Sequence, residues 1–258
     1  MTVIITLSSV VYQRMTGPTY SIRGKTDISG REISYRLLTT HETISDAVME
    51  MTVGDMDVSG RVRWKRFKSY DEWTTDSLNR RDDKLVLAIP KQPAAGKVIY
   101  DVSLTGPDGI ERKLTDESVI IRFKGVVPPY VLWPHVVFMF IGMLVSNRAG
   151  LEAVVGGKGV FSYGLITTIL MVLGGLIFGP IVQKYAFGAF WTGWPHGHDL
   201  TDNKTFVAII FWLIALWRSR GGRSGRGWII TASLVTLLIY LIPHSVLGSE
   251  IDYTKMEN

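Results

Sequence analysis

Four long apolar segments occupy the second half of this 258-residue chain and constrain its fold more than any other feature. They cover residues 130–145, 163–182, 205–217 and 228–242. A membrane-spanning helix needs roughly 20 mostly apolar residues, and these segments reach that length alone or with their aromatic flanks. Trp or Tyr lies near most of their ends, as is common at membrane–water interfaces. A buried globular core is the competing interpretation, but the number of segments and their flanks favour four transmembrane helices.

The preceding part of the chain is polar and charged and is predicted to form β structure. Seven candidate strands cover residues 20–23, 32–38, 48–53, 61–67, 84–89, 97–104 and 119–123. Short strands of this number, separated by turn signals, are typical of an immunoglobulin-like (Ig-like) β-sandwich. The chain has no cysteine, so the sandwich lacks a disulfide, and thiolate zinc sites and covalent haem attachment are excluded.

The predicted fold class is therefore an α+β membrane protein. Residues 17–127 are expected to form the Ig-like sandwich, residues 128–247 the four-helix transmembrane domain, and residues 248–258 a C-terminal tail. Residues 1–16 begin with an apolar run that is too short to span a membrane, and no positive charge precedes it as in a signal peptide. They are either a fifth, shortened anchor helix whose start codon was placed too late, or a first strand. An exported β domain requires an export signal, which favours the anchor.

Orientation in the membrane follows from the link between the third and fourth apolar segments. This link carries four arginines and no acid: Arg218, Arg220, Arg223 and Arg226. Basic links of this kind lie on the cytoplasmic side. The β domain, the link of residues 193–204 and the C-terminal tail are then expected on the outer side. Contact with anionic lipid accompanies such a link, whereas a net charge of +5 and an outward β domain argue against nucleic acid.

The second apolar segment contains the spacing GxxxG at Gly175 and Gly179. Two glycines at this spacing remove side chains from one stripe of a helix and allow another helix to approach closely. The pattern predicts helix packing, either within the chain or with a neighbouring subunit.

Four of the five histidines are expected at the outer membrane face: His135, His196, His198 and His244. Imidazole with nearby carboxylates is a usual ligand set for transition metals, and two facing histidines can ligate haem. The simpler interpretation is packing at the interface, because no ligand spacing here is as specific as HExxH. In the same link, Thr201, Asp202 and Asn203 are predicted to cap the third transmembrane helix.

Other functional motifs are missing from the sequence. It contains neither the phosphate-binding pattern GxxxxGK[ST] nor the nucleophile pattern GxSxG. No acid or base is predicted in the middle of a transmembrane segment, so a proton or ion pathway through this chain alone has no evident carrier. The sequence favours a protein that is not an enzyme.

Several phrases of the sequence are familiar together: residues 16–20, 92–97, 121–125, 191–195 with 199–205, and 243–250, of which DLTDNKT at 199–205 is the most specific. They resemble a family of bacterial inner-membrane proteins without an assigned activity. The resemblance implies an outward, periplasmic β domain followed by a helical membrane region and identifies no catalytic residue; with the orientation inferred from the arginine link, the C-terminus is expected in the periplasm as well. We expect a structural or accessory subunit whose partners are the lipid bilayer and other membrane-protein subunits. A redox protein that binds haem or a metal through the outer-face histidines is one alternative. A ligand-sensing or transporter-accessory protein is another.

Overall fold

The chain folds into two compact units. The computed structural model describes residues 1–220, 225–243 and 248–256. The helical unit comprises Met1–Pro18 and Val127–Ser249, and the β unit comprises Thr19–Val126 and Glu250–Asn258. The C-terminal tail, expected as a separate segment, therefore belongs to the β unit from Glu250 onward, whereas Ser249 ends the helical unit.

The helical unit contains six α-helices within the described ranges. They are α1 (Thr2–Thr16), α2 (Pro129–Val154), α3 (Val160–Met171), α4 (Gly179–Phe187), α5 (Leu200–Arg218) and α6 (Arg226–Leu241). A π-helical segment, Val172–Phe178, joins α3 and α4 into one continuous span. Three described spans are long and apolar enough to cross a membrane: Pro129–Val154, Val160–Phe187 and Leu200–Arg218. The protein is thus a membrane protein, and α6 is a further apolar helix of 16 residues.

Small residues and a few polar contacts hold these helices together. Five alanines lie in the core of the helical unit: Ala149, Ala153, Ala208, Ala215 and Ala232. Small side chains allow helix backbones to approach closely where lipid provides no hydrophobic driving force. Trp212 is fully buried, and its Nε1 donates to Thr236 Oγ1 at 2.8 Å. The core therefore combines close packing with satisfied polar groups.

Residues 2–16 form helix α1 rather than a strand. The helix packs on α2 and α6 through side-chain hydrogen bonds. Asn147 Nδ2 donates to Thr6 Oγ1 at 3.0 Å, and Gln13 Nε2 donates to the carbonyl of Tyr240 at 2.8 Å. Other apolar side chains of α1, such as Ile4 and Val11, remain exposed, as is normal for a surface that faces lipid.

The β unit contains eleven strands in its described residues. They are β1 (Ile22–Ile28), β2 (Arg31–Leu37), β3 (Thr40–Glu42), β4 (Ala47–Thr52), β5 (Ser59–Arg66), β6 (Thr74–Ser77), β7 (Asn79–Arg81), β8 (Lys84–Ile89), β9 (Lys97–Thr105), β10 (Glu111–Lys113) and β11 (Val119–Lys124). All seven predicted strands have counterparts. The four that sequence reasoning missed, β3, β6, β7 and β10, have three or four residues each, and none of their side chains is buried.

The strands form three sheets that share one hydrophobic core. Their orders are β1–β2, β3–β11–β9–β5–β6 with β10 beside β9, and β4–β8–β7. Pairing is antiparallel except between β3 and β11. Strand β4 alternates strictly between buried and exposed residues, as expected when one face of a strand packs on the core. Side chains from all three sheets enter the same cluster, in which Tyr100 donates to the carbonyl of Leu38 at 2.9 Å.

The C-terminal tail packs onto the β unit through both backbone and side chains. The backbone N–H groups of Ile251 and Thr254 donate to the carbonyls of Ala95 and Lys68, each at 3.1 Å. Tyr253 is buried, and the Arg66 guanidinium lies 4.6 Å from the centroid of its ring.

Glu250, at the start of this tail, forms ion pairs with Lys97 at 2.5 Å and with Lys68. Together with the backbone bonds, these ion pairs make the tail an integral part of the β unit.

Candidate functional site

A cluster of buried polar side chains lies where the link between α4 and α5 meets the first turn of α5. This polar cluster consists of Gln183, Thr192, Asp199, Asp202 and Ser249. Asp199 and Asp202 are each only 8% exposed. A buried carboxylate is costly unless hydrogen bonds replace its lost hydration, so the partners of these two groups decide what the cluster does.

Asp202 binds the link from within the first turn of α5. Its Oδ2 accepts the backbone N–H groups of Thr192 at 2.7 Å and Gly193 at 3.0 Å, and Gln183 Nε2 at 3.0 Å. A Cβ atom on Gly193 would lie 2.6 Å from the Cβ of Asp202, closer than real contacts allow. Glycine is therefore required where the link passes closest to the helix.

Asp199 is the N-cap of α5 and also binds the end of the helical unit. Its Oδ1 accepts the N–H of Thr201 at 2.8 Å, and its Oδ2 accepts both the N–H and the hydroxyl of Ser249 at 2.8 Å. Burial alone raises the pKa of the Asp199 carboxyl, but hydrogen bonds from Ser249 and Thr201 outweigh burial and hold that pKa below its ordinary value. The carboxylate is thus ionised and positioned at the positive end of the helix dipole.

The predicted cap residues Thr201, Asp202 and Asn203 are wrong. Helix α5 begins at Leu200, five residues before the apolar run, and Asp199 provides the cap. The polar first turn is helical because the cap and the dipole stabilise it without apolar burial. Asp202 and Asn203 instead bind the preceding link, and Asn203 Oδ1 accepts the N–H of Trp194 at 2.6 Å.

Lys204 is a buried cation that sequence reasoning overlooked. It lies in α5, is 6% exposed, and its Nζ donates to the carbonyl of Ile242 at 2.8 Å. Ile242 is the C-cap of α6, where an unpaired carbonyl and the negative end of the helix dipole favour a cation. A lysine directly before an apolar run was the available signal, but its partner is distant in sequence.

The histidines do not form a metal site in the part of the chain that the structure describes. His135 Nδ1 lies 2.8 Å from the carbonyl oxygen of Gly174 in the π-helical segment. His196 and His198 are exposed in the link between α4 and α5, and His244 lies outside the described residues. Within residues 1–220, 225–243 and 248–256, no group of three or more His, Asp or Glu residues is placed to hold a metal ion. The metal or haem hypothesis stays a prediction.

The two glycines of the GxxxG spacing contact different helices. A Cβ on Gly175 would lie 2.6 Å from Cγ2 of Thr205 in α5, whereas one on Gly179 would lie 3.8 Å from the ring of His135 in α2. Gly175 lies within the π-helical segment, whereas Gly179 is the first residue of α4. The close approach of α2 occurs instead at Gly174, where a Cβ would meet Met139 Sδ at 2.8 Å.

The arginines predicted to set the topology lie at the end of the bundle opposite the polar cluster. Arg218 ends α5, Arg220 follows it, and Arg226 begins α6, whereas Arg223 lies outside the described residues. Arg226 Nη2 donates to the carbonyl of Gly156 at 2.9 Å. The first residue of α6 therefore lies beside the α2–α3 link.

Comparisons of the chain with known protein families, with curated proteins and with solved structures give no match. The class of protein consequently follows from the coordinates: an α+β membrane protein with an N-terminal β region followed by apolar helices. The polar cluster fixes the α4–α5 link within the helical unit.

Proposed function

We propose that the protein is a structural or accessory subunit of the bacterial inner membrane that presents the β unit to the periplasm. The observation that carries this proposal is that hydrogen bonds within the chain satisfy the buried carboxylates of the polar cluster. Asp199 and Asp202 accept hydrogen bonds from several groups of this chain, and these bonds fix the α4–α5 link and the segment at Ser249. Buried charges used in this way build a rigid surface rather than a reaction centre.

The position of the tail supports four crossings of the membrane. Residues 250–256 pack on the same unit as residues 19–126, so both must lie on one side of the bilayer. The three spans long enough to cross would leave the tail on the opposite side. Helix α6 would then complete an even number of crossings, with Trp228 in its first turn and Pro243 just beyond its last turn at the two interfaces.

For the β unit we propose an Ig-like sandwich. In support, its three sheets enclose one core, their pairing is mostly antiparallel, and the unit spans about the length of such a domain. Domains of this type commonly present loops and sheet faces to other proteins, which fits the role of an accessory subunit.

The subunit proposal is tested by cross-linking in the intact membrane followed by mass measurement. The chain has no cysteine, so Ser77→Cys on the β unit and Arg220→Cys beyond the end of α5 each carry a single cross-linker. We expect Ser77→Cys to give one discrete adduct of reproducible mass, and native mass measurement in mild detergent to show the same assembly. A protein that stays at 28.9 kDa in both measurements would contradict the proposal.

A charged groove on the β unit favours ligand binding as a second candidate function. The groove has a volume of about 340 Å³ and is lined by Arg61, Arg63, Thr75, Asp101, Ser103, Glu111 and Lys113. At its floor, the buried Asp101 carboxylate pairs with Arg63 at 2.7 Å and Lys113 at 3.4 Å. Both cations keep further donors that face the groove, so a small carboxylate or phosphate compound is the fitting ligand class.

Thermal unfolding of the purified protein with a small dicarboxylate and with a neutral sugar of similar size tests this candidate. We expect the dicarboxylate alone to raise the Tm, and Arg63→Gln to abolish the rise. Equal shifts with both compounds, or none, would reject ligand binding in this groove without affecting the subunit proposal.

A further inference from the structure

The end of the helical unit opposite the polar cluster carries a strong excess of positive charge. In the described residues this basic end contains five cations: Arg148, Lys158, Arg218, Arg220 and Arg226. The single carboxylate among them, Glu152, is already occupied. It pairs with Arg148 at 2.5 Å and accepts the N–H of Gly159 at 3.2 Å. The other four cations have no ion-pair partner in the described part of the chain.

Arg218 lies between two tryptophans at the edge of the apolar bundle. Its Cζ is 5.9 Å from the ring centroid of Trp217 and 6.0 Å from that of Trp228. All three side chains are exposed. Tryptophan is enriched at the level of lipid headgroups, and a guanidinium held there against aromatic rings retains free donors toward the solvent.

Arg226 lies close to Arg218 and is held in place by the neighbouring link. Gly156, whose carbonyl accepts Arg226 Nη2, has a φ of +74°, a conformation that favours glycine. The two ends of the α5–α6 link also meet, since a Cβ on Gly225 would lie 2.0 Å from Ser219 Oγ. This contact brings Arg218 and Arg226 onto one small surface and leaves donors of both guanidinium groups unused.

We propose that the basic end binds the headgroup of an anionic phospholipid, with Arg218 and Arg226 on its phosphate. Guanidinium groups bind phosphate oxygens in a bidentate manner, and the attraction of a basic segment to an anionic membrane surface grows with each cation. Trp217 and Trp228 place the two arginines at headgroup level, where the acyl chains lie along the apolar helices. The proposal rests on the insertion of the helical unit in a membrane and not on the subunit role.

Native mass measurement of the full chain with phosphatidylglycerol or phosphatidylcholine tests the proposal. We expect wild-type protein to retain phosphatidylglycerol preferentially, and Arg218→Gln/Arg226→Gln to weaken its affinity by at least about tenfold. The matched control, Arg14→Gln/Lys184→Gln, removes two exposed cations that lie outside the basic end. We expect this control to bind phosphatidylglycerol like the wild type. Arg218→Lys/Arg226→Lys keeps the charge and is expected to retain most of the preference, which separates lipid binding from misfolding.

An excess of inorganic phosphate distinguishes a lipid site from a simple phosphate site. We expect it to leave phosphatidylglycerol bound, because a free anion gains nothing from the apolar helices. Displacement by phosphate, equal retention of the two lipids by the wild type, or an equal loss in the Arg14/Lys184 control would each overturn the proposal. None of these results would bear on whether the protein assembles with other subunits.

Discussion

Asp202 attaches the link between α4 and α5 to the first turn of α5 by hydrogen bonds. Its Oδ2 accepts four hydrogen bonds, two of them from backbone N–H groups that lie in a buried region. Asp202→Ala leaves these donors without a partner, and each unsatisfied buried donor costs about 1–3 kcal/mol. We expect a loss of at least about 2 kcal/mol in the free energy of unfolding, measured as a lower Tm in detergent.

Asp202→Asn is the matched control for this change, because the amide keeps one oxygen acceptor in the same place. We expect it to retain a large part of the lost stability. If Asp202→Ala and Asp202→Asn unfold at the same temperature as the wild type, the polar cluster does not stabilise the link.

The Asp199 carboxylate predicts a dependence of stability on pH. Its folded pKa is held below the ordinary value of 3.8 by hydrogen bonds that outweigh burial. The carboxylate therefore contributes stability that is fully present above about pH 4 and is lost as pH falls through the folded pKa. We expect the Tm of the wild type to fall as pH is lowered from about 4 through the folded pKa, and the Tm of Asp199→Asn to start lower and fall less. Parallel curves for both proteins would show that Asp199 contributes nothing to this dependence.

At the scale of whole elements, the close contact between the π-helical segment and α5 depends on Gly175. A Cβ at this position would lie 2.6 Å from Cγ2 of Thr205, so Gly175→Ala must push the helices apart. Overpacking of this kind costs about 1–3 kcal/mol. We expect Gly175→Ala to lower the Tm.

Gly227→Ala tests whether helix packing, rather than helix propensity, causes that effect. Gly227 lies in α6 with no atom within 4 Å of an added Cβ, and alanine in a helix interior is favoured over glycine by about 1 kcal/mol. We expect this variant to be neutral or stabilised. A similar loss in both variants would contradict the close contact at Gly175.

The apolar segments predict the middle of each helix correctly but not its ends. Helix α2 extends nine residues beyond the apolar run that ends at residue 145, and the ion pair between Arg148 and Glu152 lies in this extension. Helix α5 starts before its apolar run because Asp199 caps it. Hydropathy reports contact with lipid, whereas helix ends depend on caps and side-chain pairs that polar residues provide.

Of the polar cluster, sequence reasoning singled out only Asp202, and as a helix cap rather than as the acceptor that binds the link. The DLTDNK phrase marked the start of a helix, as the structure has it. The partners of its carboxylates, Gln183, Thr192 and Ser249, come from segments up to 50 residues away. A polar phrase before an apolar run predicts a helix cap. Because the sequence alone contains no information on long-range contacts, it cannot reveal which groups bind the carboxylate oxygens that the cap does not use.

At the scale of the whole molecule, the C-terminal tail contributes to the stability of the β unit. Tyr253 is 5% exposed, and its hydroxyl donates to Gln92 Oε1 at 3.2 Å. Removing a large buried aromatic side chain costs about 3 kcal/mol or more. We expect Tyr253→Ala to release the tail, so that a protease cleaves it in the folded protein, and to lower the Tm.

Met256→Ala, at an exposed residue of the same tail, serves as the control and is expected to leave both protease resistance and the Tm unchanged. A tail that resists proteolysis in Tyr253→Ala would mean that its backbone bonds to Ala95 and Lys68 suffice.

In the proposed topology, the β unit and the tail lie outside the membrane and the basic end lies inside. Because the chain has no cysteine, single cysteines report their side of the membrane without interference. We predict that a membrane-impermeant maleimide applied to spheroplasts labels Ser77→Cys and Lys255→Cys, and labels Gly227→Cys only after the membrane is opened. Labelling of Gly227→Cys in intact spheroplasts, or opposite behaviour of Ser77→Cys and Lys255→Cys, would contradict the account.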